Sequence, residues 1–379
     1  MTNPNDQPTR RLARRDYLLL PAVCLLTVLA MFVGGEAVSR LVWSEGQTGP
    51  ECHGWDPQLG IINLPNCSVT VKGPETSWIT YHYNECGFRS TEACGSKPAG
   101  TRRVAVLGSS FAEGANVPYD KSFSALSAAR LTRLCHAPVE FQNLGVSELP
   151  LPRVKERIGM ALRLQPDAAI LAIAPFDLEK LNRLNANGDE GIQRVAMTQS
   201  VSGPHADLLT RVKAVVRNSR AVTVVEHFMF ENPDLQVKMY LQYGDKANFL
   251  RPPFSPEWQQ RLAVADTQIG EVAARFRAAG VPMFLLMIPQ RTQAELLVVK
   301  ARPPGVDPMA LQDALRAIAQ KHGVGFIDLF SEFRRSPHPG DLYFPVDNHL
   351  NEDGSQAVAR SIVASLSTGG VAAFDGCAH

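Results

Sequence analysis

From Arg102 onward, near-continuous apolar runs alternate with segments whose apolar residues recur at helical spacing, and this alternation constrains the fold most. The runs read "RRVAVLG", "VEFQNLGV", "AAILAIA", "VPMFLLMIP" and "VGFIDLF". A strand apolar at almost every position is buried on both faces, as in a parallel sheet covered by helices. Between the runs, Val154, Ile158 and Leu162 form one apolar stripe, and Leu262, Ala265, Ile269, Val272 and Phe276 form a second. Val358, Ile362 and Leu366 mark a final helix, and Gly280 stands where a helix C-cap belongs. The pattern predicts an α/β fold: a doubly wound, flavodoxin-like, mainly parallel five-stranded sheet with helices on both faces.

Ahead of this lies an uncharged stretch, "YLLLPAVCLLTVLAMFVGG", from Tyr17 to Gly35. As a helix it spans about 28 Å, close to the hydrocarbon thickness of a bilayer. Pro21 falls near its start, where a missing N–H costs little if the helix begins there. Arg10, Arg11, Arg14 and Arg15 precede it, so the positive-inside rule retains residues 1–16 in the cytoplasm and exports the rest. A cleaved signal peptide is the rival reading, but its apolar core is shorter and "GGEAVSR" makes a poor cleavage site. The expectation is one transmembrane signal anchor over 17–35, a C-terminal domain in the periplasm, and a place in a bacterial inner membrane.

Cysteine usage fits export. Cys24 lies in the apolar stretch, whereas Cys52, Cys67, Cys86, Cys94, Cys135 and Cys377 all fall beyond it. An even number in an oxidising compartment points to disulfides. Of the many pairings six cysteines permit, Cys52–Cys67, Cys86–Cys94 and Cys135–Cys377 is the one expected; buried free thiols are the alternative. Residues 36–100 read as an irregular, cysteine-containing lead-in with short strand-like pieces, "SVTV" and "WITYHY". Residues 101–379 form the α/β domain, with a more polar helical insertion at about 182–256. The formal charge of +1, without a basic stripe, points away from nucleic acid. No zinc-like Cys/His spacing and no phosphate-binding glycine motif occurs, so no metal and no cofactor is expected.

Sites in doubly wound sheets form at the carboxyl ends of the strands. Ser110 follows Gly108 at one such end, in "VAVLGSSFAEG", where helix N-terminal N–H groups favour negative charge. A serine pair at a helix start is commonly just an N-cap, and Ala112 replaces the second glycine of a nucleophile elbow. A nucleophilic serine needs a base and an orienting group. "YFPVDNHLNEDG" offers both, since Asp347 and His349 are two residues apart and share a side if the stretch is extended. Asn351 or Asp353 is placed to cap the helix that follows. His227, beside Glu226 in "EHFMF", reads as a packed helical histidine instead.

Four blocks, "VAVLGSSFAEGANV", "FQNLGVS", "PDAAILAIAPFDL" and "DNHLNEDG", resemble in order those of the SGNH, or GDSL-type, hydrolases. The resemblance runs from about Arg102 to Leu366, and "QLGIINLPN" and "YNECGFRS" are similar to the segment before the catalytic domain of membrane-anchored members. It implies Ser110 as nucleophile, His349 as base and Asp347 as its orienter, with the N–H groups of Ser110 and Gly145 as oxyanion donors. Ser109, Asn143 and Asp177 are further cleft candidates, though Asp177 reads first as a helix cap. Two departures stand out: Gly108-Ser109-Ser110 lacks the acidic residue before the nucleophile, and Phe176-Asp177 stands where the family has Asn-Asp. Phe cannot donate to an oxyanion, and losing one donor costs about 10²–10³ in rate.

The resemblance implies a serine esterase or O-acyltransferase acting on acyl esters of envelope carbohydrate. Its expected partners are a polysaccharide substrate, an acyl donor, the membrane through the N-terminal helix, and a membrane-bound O-acyltransferase. The contrasting expectation is a degenerate SGNH fold serving as a binding or scaffold subunit of a polysaccharide-modifying complex.

Overall fold

The computed structural model describes residues 15–181, 218–299, 302–368 and 370–377. The expected cytoplasmic segment thus lies almost wholly outside the described residues, as does the part of the expected insertion before residue 218.

Helix α1 (Asp16–Val42) is exposed over its apolar stretch and is long and apolar enough to cross a membrane. It differs from expectation at both ends. It starts before Pro21, which therefore sits inside the helix and leaves one ladder bond unmade. It also runs seven residues beyond Gly35, where Glu36 and Arg40 pair across one turn at 2.7 Å.

Two small antiparallel sheets follow. β1 (Gly46–Thr48), β4 (Ser68–Lys72) and β5 (Ile79–His82) form one, and β2 (His53–Asp56) and β3 (Gly60–Asn63) the other. The pairs Cys52–Cys67 and Cys86–Cys94 are disulfide-bonded here, and Cys135–Cys377 ties the end of α3 to the C-terminus.

The main sheet consists of β6 (Arg102–Gly108), β7 (Val139–Asn143), β8 (Ala168–Ile173), β9 (Met283–Met287) and β10 (Gly325–Ile327). All four pairings are parallel, in the spatial order β10-β9-β8-β6-β7. This is the doubly wound, flavodoxin-like order, and its switch point lies at β6 between β7 and β8. The apolar runs are buried as their composition requires, with β10 at the sheet edge partly exposed. The helices begin with α2 (Ser110–Glu113), α3 (Phe123–Cys135), α4 (Ile158–Arg163) and α5 (Pro175–Glu179). They continue with α6 (Arg220–Phe230), α7 (Pro233–Tyr240), α8 (Pro256–Ala278) and α9 (Arg291–Glu295). The last are α10 (Ala310–Lys321), α11 (Phe330–Phe333) and α12 (Glu352–Thr368).

Helices α3 and α12 pack together on one side of the sheet, and α4, α8 and α10 on the other. In α8 the stripe Ala265, Ile269, Val272 and Phe276 is fully buried. Gly280 ends that helix at φ +71°, with its N–H on Arg277 O and that of Val281 on Phe276 O. The stripe through Val154 begins in a 3-10 stretch, Leu151–Arg157, that opens on Leu-Pro and becomes α-helical only at Ile158.

Candidate active site

Ser110 is the first residue of α2, directly past the switch-point strand. The turn depends on Gly108, whose φ is +146° and whose missing side chain would run into Ala172 O of β8 and the Ala112 side chain. Register pairs Gly108 with Ala172, so the close approach follows from the sheet itself.

The loop from Tyr343 to Leu350 brings Asp347 and His349 to Ser110. It is not extended, as the two-residue spacing led one to expect, but a tight turn. Tyr343 bridges Leu350, Phe344 N–H donates to His349 O, and Asn348 adopts φ +66°. Asp347 Oδ1 accepts the His349 backbone N–H at 3.1 Å and its Nδ1–H at 2.6 Å, an Asx-type turn that fixes backbone and ring at once. Ser110 Oγ then donates to His349 Nε2 at 2.8 Å. The carboxylate only accepts, so the proton sits on Nδ1 and Nε2 is free to receive one. The Phe111 ring packs 4.7 Å from the imidazole, centre to centre, and limits its rotation. Asn351 caps α12 through its Oδ1 on Gly354 N–H.

Asn116 Nδ2 donates to Asp347 Oδ1 at 2.8 Å, and the Tyr81 hydroxyl in turn accepts Asn116 N–H. Partial burial pushes the Asp347 pKa up, but the bonds and charge of His349 and the Asn116 bond outweigh it and hold the carboxyl below the ordinary range.

The remaining candidates are placed differently. Gly145, expected as an oxyanion donor, directs its N–H to Asn143 Oδ1 at 2.9 Å. Gly145 is glycine because a side chain there would strike the backbone of Ala112 and Glu113. Asn143, a cleft candidate, is buried, and its Nδ2 donates to Ala112 O and Ser124 Oγ, which ties β7 to α2 and α3. Asp177 is buried and accepts Ala174 N–H at 2.7 Å, closing the start of α5. Burial pushes its pKa up despite the Ser109 hydroxyl and the Ala174 N–H, which favour the charged form. Ser109 is buried beside the nucleophile, with its hydroxyl toward the Asp177 carboxyl. Phe176 is 40% exposed, and Lys180 lies 4.3 Å over its ring while pairing with Glu148 at 2.6 Å. That contact joins the loops after β8 and β7, the two strands flanking β6.

Several contributors have no signal in the local sequence. Glu113 is buried and accepts from Asn63 Nδ2, Tyr83 OH and Ser147 N–H, joining the lead-in and the loop after β7 to α2. Arg89 donates to Glu113 O, Gly114 O and Val117 O, pinning the turn behind Ser110. The residues expected only to lead into the domain therefore buttress the site. Among the described residues no three His, Cys, Asp or Glu side chains gather as a metal-binding group.

A strand-end serine hydrogen-bonded to a histidine, itself bonded to a carboxylate, on a doubly wound sheet is the arrangement of an acyl hydrolase. Residues 106–357 match the profile of the GDSL-like lipase/acylhydrolase family, and the chain belongs to that family. No curated protein matches it. Similar solved structures include LAE5, an α/β hydrolase enzyme from the metagenome of Lake Arreo, at 16% identity and TM-score 0.40, covering 72% of this chain and 96% of that one. A variant of Axe2, an acetyl-xylooligosaccharide esterase from Geobacillus stearothermophilus, aligns at 11% identity and TM-score 0.40, over 71% and 94% of the two chains. TesA aligns at 12% identity and TM-score 0.39, over 70% and 98%.

Proposed function

We propose that this chain is a membrane-anchored serine esterase or O-acyltransferase acting on acyl esters of envelope carbohydrate. The observation that carries the reading is the continuous Ser110–His349–Asp347 hydrogen-bond series. Ser110 Oγ attacks the ester carbonyl while its proton passes to His349 Nε2, and Asp347 stabilises the imidazolium that forms. Collapse of the tetrahedral intermediate expels the alcohol, which takes the proton from Nε2 and leaves an acyl-serine. Water or a sugar hydroxyl then gives its proton to Nε2 and attacks the acyl carbon; collapse breaks the acyl–Oγ bond, Ser110 Oγ takes the proton back from Nε2, and the free acid or acylated sugar leaves. The Ser110 N–H, at the first position of α2, is the oxyanion donor of the nucleophile itself.

For the carbohydrate acceptor, a cavity of about 240 Å³ is lined by Glu75 and Asn116, which bond Asp347, and by Thr76, Ser77, Asn351 and Glu352 among others, groups that suit hydroxyls. For a bilayer location, α1 is followed directly by Trp43, an amphipathic ring of the kind that collects at membrane interfaces. Such an anchor, with the domain on the periplasmic side of an inner membrane, suits an acyl donor delivered by a membrane-bound O-acyltransferase. The second reading, a non-catalytic binding or scaffold subunit, is favoured by Phe176 in place of a side-chain donor and by the engaged N–H of Gly145.

The deciding experiment is intact-mass labelling of the full chain in detergent with a fluorophosphonate. A stoichiometric adduct on the wild type, absent from Ser110→Ala, is the expected result; an unlabelled, disulfide-intact wild type overturns the catalytic reading.

A further inference from the structure

One buried carboxylate outside the serine–histidine–aspartate series reaches the loop that carries it. Glu75 lies in the turn between β4 and β5, and its side chain is only 2% exposed. Both its oxygens lie 3.1 Å from Val346 N–H, and its Oε2 accepts Asp347 N–H at 2.8 Å. Its Oε1 stands 2.7 Å from His227 Nδ1 on α6. A carboxylate is costly to bury unless its oxygens are occupied, and here two backbone donors and an imidazole occupy them.

The same loop and the same helix share a second link. Arg291, also buried, donates to Pro345 O at 3.0 Å and to Phe230 O, the last residue of α6, at 2.6 Å. Helix α6 is fixed in turn by α1. Glu36 accepts Ser219 Oγ, Arg220 N–H and Ala221 N–H, which caps α6, and Trp43 meets the His227 ring edge-on at 4.6 Å. His227 Nε2 also faces Glu231 at 3.4 Å. A chain of polar contacts therefore runs from the end of α1 through α6 to the backbone of Asp347.

We propose that Glu75, braced by His227, is a positioning residue that holds the Asp347–His349 turn in register with Ser110. It touches no reacting atom. It fixes the N–H groups of Val346 and Asp347, three and two residues before the histidine, in a turn that Asn116 and Arg291 also hold. The proposal rests on the catalytic reading above.

The test compares Glu75→Ala, Glu75→Asp and Glu75→Gln in the full chain in detergent, by fluorophosphonate labelling rate, by kcat and KM on p-nitrophenyl acetate, and by Tm. In Gln the carbonyl oxygen takes over both backbone N–H groups and the amide donates to Nδ1 of the other imidazole tautomer, so it retains most of the wild-type rate. Ala removes the acceptor and Asp falls one methylene short. A misplacement of about 1 Å costs on the order of 10²-fold, so both lower kcat and the labelling rate by that order with KM little changed. Wild-type rates in folded Ala and Asp variants overturn the proposal, as does an equal loss in Gln and Ala. If the Ala variant does not fold, the Asp variant, which keeps the charge, decides alone. A wild type that takes no label fails the catalytic reading rather than this one.

Discussion

Asp347 gathers three donors on one oxygen: the ring and backbone N–H groups of His349 and the amide of Asn116. Asn at 347 keeps the shape but can offer its amide to Nδ1, which favours the wrong imidazole tautomer. Asp347→Asn is therefore expected to lower kcat by about 10⁴-fold with the fold intact, measured by ester hydrolysis beside circular dichroism. Asp177 provides a prediction of opposite electrostatic sense. Its folded pKa is raised, so its contribution to stability is full below the unfolded value and is lost as pH rises through the folded value. Asn at 177 can still accept Ala174 N–H. Asp177→Asn should thus raise Tm at pH 8 more than at pH 4, and equal shifts at both would refute the charge argument. For Asp347, whose folded pKa is lowered, the sign reverses: its contribution is present above the unfolded value and fades as pH falls through the folded one.

At the scale of elements, the strand–turn–helix around Ser110 works because β6 and β8 lie in a register that brings Ala172 O against Gly108. Gly108→Ala forces a methyl into that contact at φ +146°. Overpacking of this kind costs about 1–3 kcal/mol, and the displaced serine also loses its histidine, so thermal melting and labelling rate should fall together. The turn was legible in "GSSFAEG", since the glycine, the apolar run before it and the strand end are all local. The Asp347–His349 turn was legible in its residues but not in its shape. Their spacing suits an extended segment, whereas Asn348 at φ +66° and the Tyr343–Leu350 bridge fold it back.

Over the whole molecule, the lead-in sheets, the sheet domain and the end of α1 act on one site. The Cys135–Cys377 bridge closes a separation of 242 residues and fastens the C-terminus to α3. Replacing both cysteines by serine is expected to cost about 2–5 kcal/mol, read as a lower denaturant midpoint, with the labelling rate of the folded protein unchanged. A labelling rate that collapses in folded protein would show that the bridge positions the site as well as stabilising the chain.

Fold class, strand identity, the membrane-length helix and the three residues of the hydrogen-bond series were all written in local pattern. Burial on two faces imposes continuous apolar runs, and the carboxyl ends of such runs are where a parallel sheet exposes its site. Only the tertiary structure decided which polar groups remain free. Gly145 N–H is engaged by Asn143, Asn143 itself staples β7 to α2, and Glu75 reaches across 272 residues to Asp347. Hydrogen-bond partners so far apart in the chain are chosen by packing, and no spacing along a single segment encodes them.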